Sequence, residues 1–208
     1  LFRPGYKSFL VNDWIAAMDG MTERLKAGAK VADVGCGHGA STIVLAGAFS
    51  NSTFHGFDNH KASIETAKTR AESEKSKNNI HFSVEDAQSY AEADFDLICF
   101  MDCLHDMGDP IGAAKHAAKS LKADGRLLLV EPAAGDKIEE NINPISRLYY
   151  AASTAVCTPC SLSQPVGLAL GAQAGVNRLS KILKQAGFVS VKKIAETPFN
   201  IILEARLD

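Results

Sequence analysis

Val31-Ala-Asp-Val-Gly-Cys-Gly-His-Gly39 is a short apolar strand that runs through Asp33 into three glycines at alternate positions. Gly35, Gly37 and Gly39 take side chains away where a backbone must approach a ligand closely. Ser41-Thr-Ile-Val-Leu-Ala-Gly-Ala-Phe49 then reads as the helix that follows. A strand, a glycine turn and a helix in that order leave amide donors without intrahelical partners at the mouth of a pocket.

The same rhythm repeats on the C-terminal side. Thr53-Phe-His-Gly-Phe57 is a second strand ending at Asp58, a polar helix spans about Lys61 to Lys77, and a third strand, Ile80-His-Phe-Ser-Val84, ends at Glu85-Asp86. Asp94-Phe-Asp-Leu-Ile-Cys-Phe-Met101 is a nearly continuous apolar run, expected of a central strand covered on both faces, and it stops at Asp102. Asp109-Pro110 opens a helix to Leu121, which Ala123-Asp-Gly125 ends. Arg126-Leu-Leu-Leu-Val130 is the fifth strand and runs into Glu131-Pro132.

On the N-terminal side, Leu10, Trp14, Ala17, Met18, Met21 and Leu25 lie at helical spacing, so a leading helix is expected from Phe9 to Lys26, within 1–28, broken by Ala27-Gly-Ala29. Past a helix from about Asn177 to Gln185, the β-rich runs Val189 to Ala195 and Asn200 to Leu207 are joined only by Glu196-Thr-Pro-Phe199. Four residues cannot hold a crossover helix, so these runs form an antiparallel hairpin. The expected fold class is α/β: a doubly wound, mostly parallel seven-stranded sheet with an antiparallel C-terminal hairpin, one reversed edge strand and a helical lid insertion over 133–175. That insertion breaks the alternation, and from Leu148 to Asn177 it holds no Asp, Glu, Lys, Arg or His. Its Ser, Thr, Gln and Pro residues argue against a membrane span, and it reads as an apolar cover over a site or a dimer partner.

A chain of 208 residues with 46% hydrophobic and 22% charged residues is long enough for one globular α/β domain. Net charge is −2, and the bases between Lys61 and Lys77 alternate with Glu65, Glu72 and Glu74, which lacks the electrostatic footprint of nucleic-acid binding. The first residue is Leu1, with no apolar signal segment behind it, so the chain is expected to be a piece of a longer polypeptide. Five scattered cysteines, Cys36, Cys99, Cys103, Cys157 and Cys160, fit reduced thiols in a cytoplasmic protein. Cys157-Thr-Pro-Cys160 has the spacing of a redox or zinc half-site, but no second pair stands at finger spacing, so both are assigned to packing and no metal is expected.

Together these residues give the chain its resemblance to class I S-adenosylmethionine-dependent methyltransferases, over nearly the whole length. Asp33-Val-Gly-Cys-Gly-His-Gly39 resembles that family's first motif, which implies that Gly35, Cys36, Gly37 and Gly39 approach the methionine part of the cofactor and Asp33 its amino group. Asp58 matches the carboxylate that takes both ribose hydroxyls, with Asn59 beside the adenine ring. Asp86-Ala87 matches the adenine-edge position, and Met101-Asp102 the strand end that faces the sulfonium. Cys103-Leu-His-Asp-Met107, Glu131-Pro132 and Asn143-Pro-Ile-Ser-Arg-Leu-Tyr-Tyr150 resemble methyltransferases of unassigned substrate in which a winged-helix-like region often precedes the catalytic domain. The segment after the fourth strand lacks the Asn-Pro-Pro-aromatic signature of nitrogen methylation, which speaks against nucleobase amines.

Gly35-x-Gly37-x-x-Ala40 also satisfies the relaxed dinucleotide fingerprint, and Asp58 could hold the ribose of NAD. Asp33 before the turn, the third glycine, Asp86 and the terminal hairpin favour the methyltransferase. Methyl transfer from a sulfonium asks mainly for alignment and exclusion of water. A hydroxyl acceptor adds the need for a base, and His105, oriented by Asp106 or Asp102, is the expected one. The apolar lid implies a small or medium, largely apolar acceptor, and the apolar leading helix and lid make a homodimer plausible. The alternative is a regulatory module that binds S-adenosylmethionine and signals without methyl transfer.

Overall fold

The computed structural model describes residues 2–74 and 79–208. The end of the helix expected to reach Lys77 lies outside the described residues. Five strands, β1 (Lys30–Val34), β2 (Thr53–Asp58), β3 (Ile80–Val84), β4 (Phe95–Met101) and β5 (Leu121–Pro132), run parallel, and β6 (Ser190–Glu196) and β7 (Asn200–Arg206) complete a seven-stranded sheet of order β3-β2-β1-β4-β5-β7-β6. β7 pairs antiparallel with both β5 and β6.

The reversed strand is therefore not at the edge. The order follows from apolarity: Ile201, Ile202, Leu203 and Ala205 of β7 are all buried, whereas Lys192 and Lys193 expose β6 to water. The more apolar strand takes the inner position, and the charged one blunts the edge.

Alternation along the strands feeds two layers. Ile98 and Phe100 of β4 and Leu127 and Leu129 of β5 pack with the helices Pro110–Ser120 and Val176–Gln185. Leu97, Cys99, Leu128 and Val130 face the other way, onto Leu10, Trp14, Met21 and Leu25 of the leading segment and onto Leu45 and Phe49. This is why β4 is buried at every residue.

The leading segment departs from the single helix expected over Phe9 to Lys26. Helical backbone runs from residue 3 to 15, wound as a π-helix over Tyr6–Ile15, and a second helix spans Met21–Ala27. Gly20, at φ +71°, takes the left-handed conformation that turns the chain between them. The helical spacing survives the break because both helices bury the same side, so Met18 and Met21 join one core layer.

β5 starts five residues before the expected Arg126. Ala123-Asp-Gly125 reads as a helix stop in the sequence, but Leu121 pairs with Phe95 across an irregularity in the ladder and Lys122 Nζ reaches Asp96 Oδ1 at 2.8 Å. In the insertion, Asn143 caps the helix Pro144–Ala152 through the Ser146 amide, and helical backbone continues through a π turn, Ser153–Cys157, to Thr158–Leu162. No described helix is long and apolar enough to cross a membrane.

Candidate functional site

The carboxyl ends of β1, β2 and β4 meet where the strand order reverses, the position at which doubly wound sheets bind ligands. A cavity of about 370 Å³ opens there. Its walls bring together Gly35, Asp58, Asn59, Asp86, Ala87, Asp102 and Asp106 of the residues singled out in the sequence. Asp33, Cys36, Gly37, Gly39, Met101 and His105 do not line it.

The glycine turn is fixed by its neighbours. The amides of Gly35 and Cys36 both donate to Phe57 O, at 2.8 and 3.0 Å, and Gly37 N donates to Asp58 Oδ2 at 2.9 Å. Gly35 has φ +73°, and a Cβ there would stand 2.8 Å from Cys103 Sγ. Gly39, at φ +72°, begins the helix Ala40–Ala48, and a Cβ on it would fall 2.6 Å from Phe82 Cζ. The side chain of Cys36 turns away, into a small core with Ile43, Ile64 and Phe82.

Asp33 is buried. Its Oδ2 accepts from Ser41 Oγ and Thr42 Oγ1, both at 2.6 Å, and its Oδ1 has no hydrogen-bond partner among the described residues. A buried carboxylate oxygen left unpaired is costly and suits a cationic ligand group. Burial pushes its pKa up to about 6, held back by the two hydroxyls. Asp58 accepts His60 N on Oδ1 at 2.9 Å, and Asp86 accepts Gln88 N on Oδ1 at 2.8 Å, so each acid is oriented by the turn that follows its strand.

Asp102 occupies the left-handed region at φ +53°, an uncommon conformation for a non-glycine residue and one that clusters at functional sites. Its backbone is held by Asp102 N donating to Val130 O at 2.8 Å. Tyr6 Oη donates to Asp102 Oδ2 and Asn200 Nδ2 to Oδ1, each at 2.7 Å. Burial pushes the Asp102 pKa up to about 8, against the hydrogen bond from Tyr6. Asn200 also borders a second, apolar cavity of about 350 Å³, walled by Phe2, Pro4, Phe9, Leu148, Tyr149 and Phe199. Asp102 thus stands between a polar and an apolar cavity, one hydrogen bond from the latter.

His105 has a setting other than that of a base in an open pocket. It borders neither cavity and its side chain is 5% exposed. Nδ1 lies 2.5 Å from Glu131 Oε2, whose Oε1 accepts Leu104 N at 3.0 Å. Burial disfavours its charge, but the Glu131 carboxylate outweighs this and, with hydrogen bonds to Cys157 and Glu131, pushes the pKa up to about 11.

The insertion contributes Cys160 and Gln164 to the polar cavity, and Leu148 and Tyr149 to the apolar one. Gln164 Nε2 donates to Asp106 O at 3.0 Å and Ser161 Oγ to Met107 O at 2.8 Å, which ties this segment to the turn after β4. Sequence reasoning missed Asn200, Cys103, Cys160 and Gln164 as site residues; for Cys103, adjacency to Asp102 was an available signal.

The buried acids set a pH dependence. Asp33 and Asp102 have folded-state pKa values above the ordinary 3.8, so the folded chain binds more protons than the unfolded chain between about pH 4 and 8. Stability is fully supported below that window and falls as pH rises through it, at about 1.4 kcal/mol per pH unit for one group in full titration. The urea midpoint is expected to be lower at pH 8 than at pH 5.5. In Asp102→Asn the difference between the two pH values should shrink, and an undiminished difference would remove Asp102 as its source.

A family model described as a methyltransferase domain matches residues 25–187. The 27-O-demethylrifamycin SV methyltransferase of Amycolatopsis mediterranei is 32% identical over 107 residues, 50% of this chain and 39% of that protein. An uncharacterized methyltransferase of Bacillus subtilis, YcgJ, is 30% identical over 131 residues, 61% of this chain and 51% of that protein. The chain spans about half or less of the length of these relatives. Among solved structures, the mitomycin 7-O-methyltransferase MmcR superposes with a TM-score of 0.72 at 16% identity, over 99% of this chain and 54% of that one. The magnesium protoporphyrin IX methyltransferase ChlM of Synechocystis, solved with bound SAM, superposes at 0.63 and 20% identity, over 98% and 78%.

Proposed function

This chain belongs to the methyltransferase domain family, and from that premise we propose that it is an S-adenosylmethionine-dependent methyltransferase acting on an oxygen of a small or medium, largely apolar acceptor. The observation that carries this reading is Asp102, a strained, part-buried carboxylate at the border of a polar cavity and one hydrogen bond from an apolar one. Asp33 would hold the cofactor's amino group on its unpaired Oδ1, Asp58 its ribose hydroxyls, and Asp86 with Ala87 its adenine edge.

S-adenosylmethionine supplies a methyl group already activated on a sulfonium. The protein's own task is alignment, dryness and one proton. Phe2, Phe9, Leu148, Tyr149 and Phe199 offer an apolar surface to the acceptor and exclude water. Asp102 takes the acceptor's hydroxyl proton on a carboxylate oxygen. Its raised pKa brings it close to the range of a base working at neutral to mildly alkaline pH. Tyr6 and Asn200 position that carboxylate, and Glu131 keeps the His105 charge nearby without exposing it.

The test is calorimetric titration with S-adenosylmethionine and, separately, NAD, followed by product analysis with aromatic acceptors carrying matched hydroxyl and amino groups. Saturable binding of the first cofactor alone and methylation of the hydroxyl are expected. Methylation of only the amine would refute the oxygen acceptor. Tight binding without transfer to any member of the panel would favour the regulatory module.

A further inference from the structure

Beside the polar cavity, a largely enclosed cluster of polar side chains joins the turn after β4 to the insertion. His105 and Asp106 stand on the 3-10 turn Leu104–Asp106 after β4, and Cys157 ends the π turn Ser153–Cys157 of the insertion. One ligand atom from each of the three lies within 4.8 Å of the others, the one such trio among the described residues. His105 Nε2 is 3.3 Å from Asp106 Oδ1, an oxygen shielded from solvent that makes no hydrogen bond among the described residues. The other ring nitrogen is already oriented: Nδ1 meets Glu131 Oε2 at 2.5 Å, and the Leu104 amide holds that carboxylate. A carboxylate behind a histidine whose second nitrogen faces a thiol and a further carboxylate is the arrangement found around protein-bound metal ions.

We propose that His105, Asp106 and Cys157 form a binding site for a divalent transition-metal ion of the zinc class. The donor set selects the ion: magnesium and calcium take oxygen ligands, whereas zinc accepts nitrogen, thiolate and carboxylate together, in tetrahedral sites that often keep one position open. Coordination replaces the proton on Nε2 and the thiol proton of Cys157, both released to solvent, and the ion's charge is balanced by the thiolate and the Asp106 carboxylate. The π turn brings Cys157 inward, in keeping with the tendency of such turns to mark functional positions. The bound ion fastens residue 157 of the insertion to the turn whose Asp106 borders the polar cavity. The site stands independently of methyl transfer.

Cobalt(II) tests it directly. The full chain, stripped with a chelator, is expected to take up one equivalent of Co²⁺ with tetrahedral visible absorption and a thiolate-to-cobalt charge-transfer band, both abolished by excess Zn²⁺. Cys157→Ser should lose the charge-transfer band, Asp106→Asn should bind at least tenfold more weakly, and Cys160→Ser should keep the wild-type spectrum. Absence of the band in the wild type would overturn the proposal. So would a band that survives Cys157→Ser and vanishes in Cys160→Ser, which would place the ion on the exposed thiol. If Cys157→Ser fails to fold by circular dichroism, Asp106→Asn decides, and unchanged affinity there overturns the site.

Discussion

Asp102→Asn is expected to lower kcat for methyl transfer by about a hundredfold to a thousandfold, within the range that a positioned base contributes. The amide keeps the shape of the carboxylate, so the contact with Tyr6 Oη and the strand-end backbone are retained while the proton acceptor is lost. Cofactor affinity should change little. The wild-type kcat should rise with pH as the part-buried carboxyl, with its pKa pushed up to about 8, ionises, whereas the variant should show a flat profile. Initial rates with whichever hydroxylated aromatic acceptor supports turnover check both statements. An unchanged kcat in the variant would return the search for a base to other groups bordering the cavities.

The second large effect belongs to Asp58. Both of its oxygens accept backbone amides, Gly37 N on Oδ2 and His60 N on Oδ1, at 2.9 Å each. Asp58→Asn turns one acceptor into a donor, so an amide group faces a backbone N–H and the glycine turn loses an anchor. Loss of charge-assisted bonds to the ribose adds to this. Together they should weaken S-adenosylmethionine binding by roughly tenfold to a hundredfold, equivalent to about 1.4–3 kcal/mol. Calorimetry on the purified variant measures it, and kcat at saturating cofactor should stay near the wild-type value. Wild-type affinity would remove Asp58 from the cofactor site.

The strands that frame the site were legible because their apolar runs are uninterrupted. Expected β1 to β4 fall within a residue of the observed boundaries, and the rule that acids at strand ends mark a ligand site brought Asp58, Asp86 and Asp102 to one cavity. What was hidden depends on partners far away in sequence. The polar start of β5 reads as a helix stop until Asp96 supplies a partner for Lys122. The break at Gly20 is masked because both flanking helices bury one continuous side. Asn200 looks like an ordinary first residue of a hairpin strand, and only the antiparallel insertion of β7 beside β5 carries it to Asp102. The setting of His105, with Glu131 beside it and burial around it, is likewise invisible in the sequence.

Tyr6 and Asn200 grip the same carboxylate from positions 194 residues apart in a chain of 208. On the ribosome this makes the site a late product. The glycine turn and the first four strands emerge with Asp102 still ungripped on one side, and at roughly 5–20 residues per second the wait for residue 200 lasts several seconds. A nascent or prematurely ended chain would carry the acids of the polar cavity without the Asn200 contact that holds Asp102. The clasp on Asp102 is thus complete only after translation through β7.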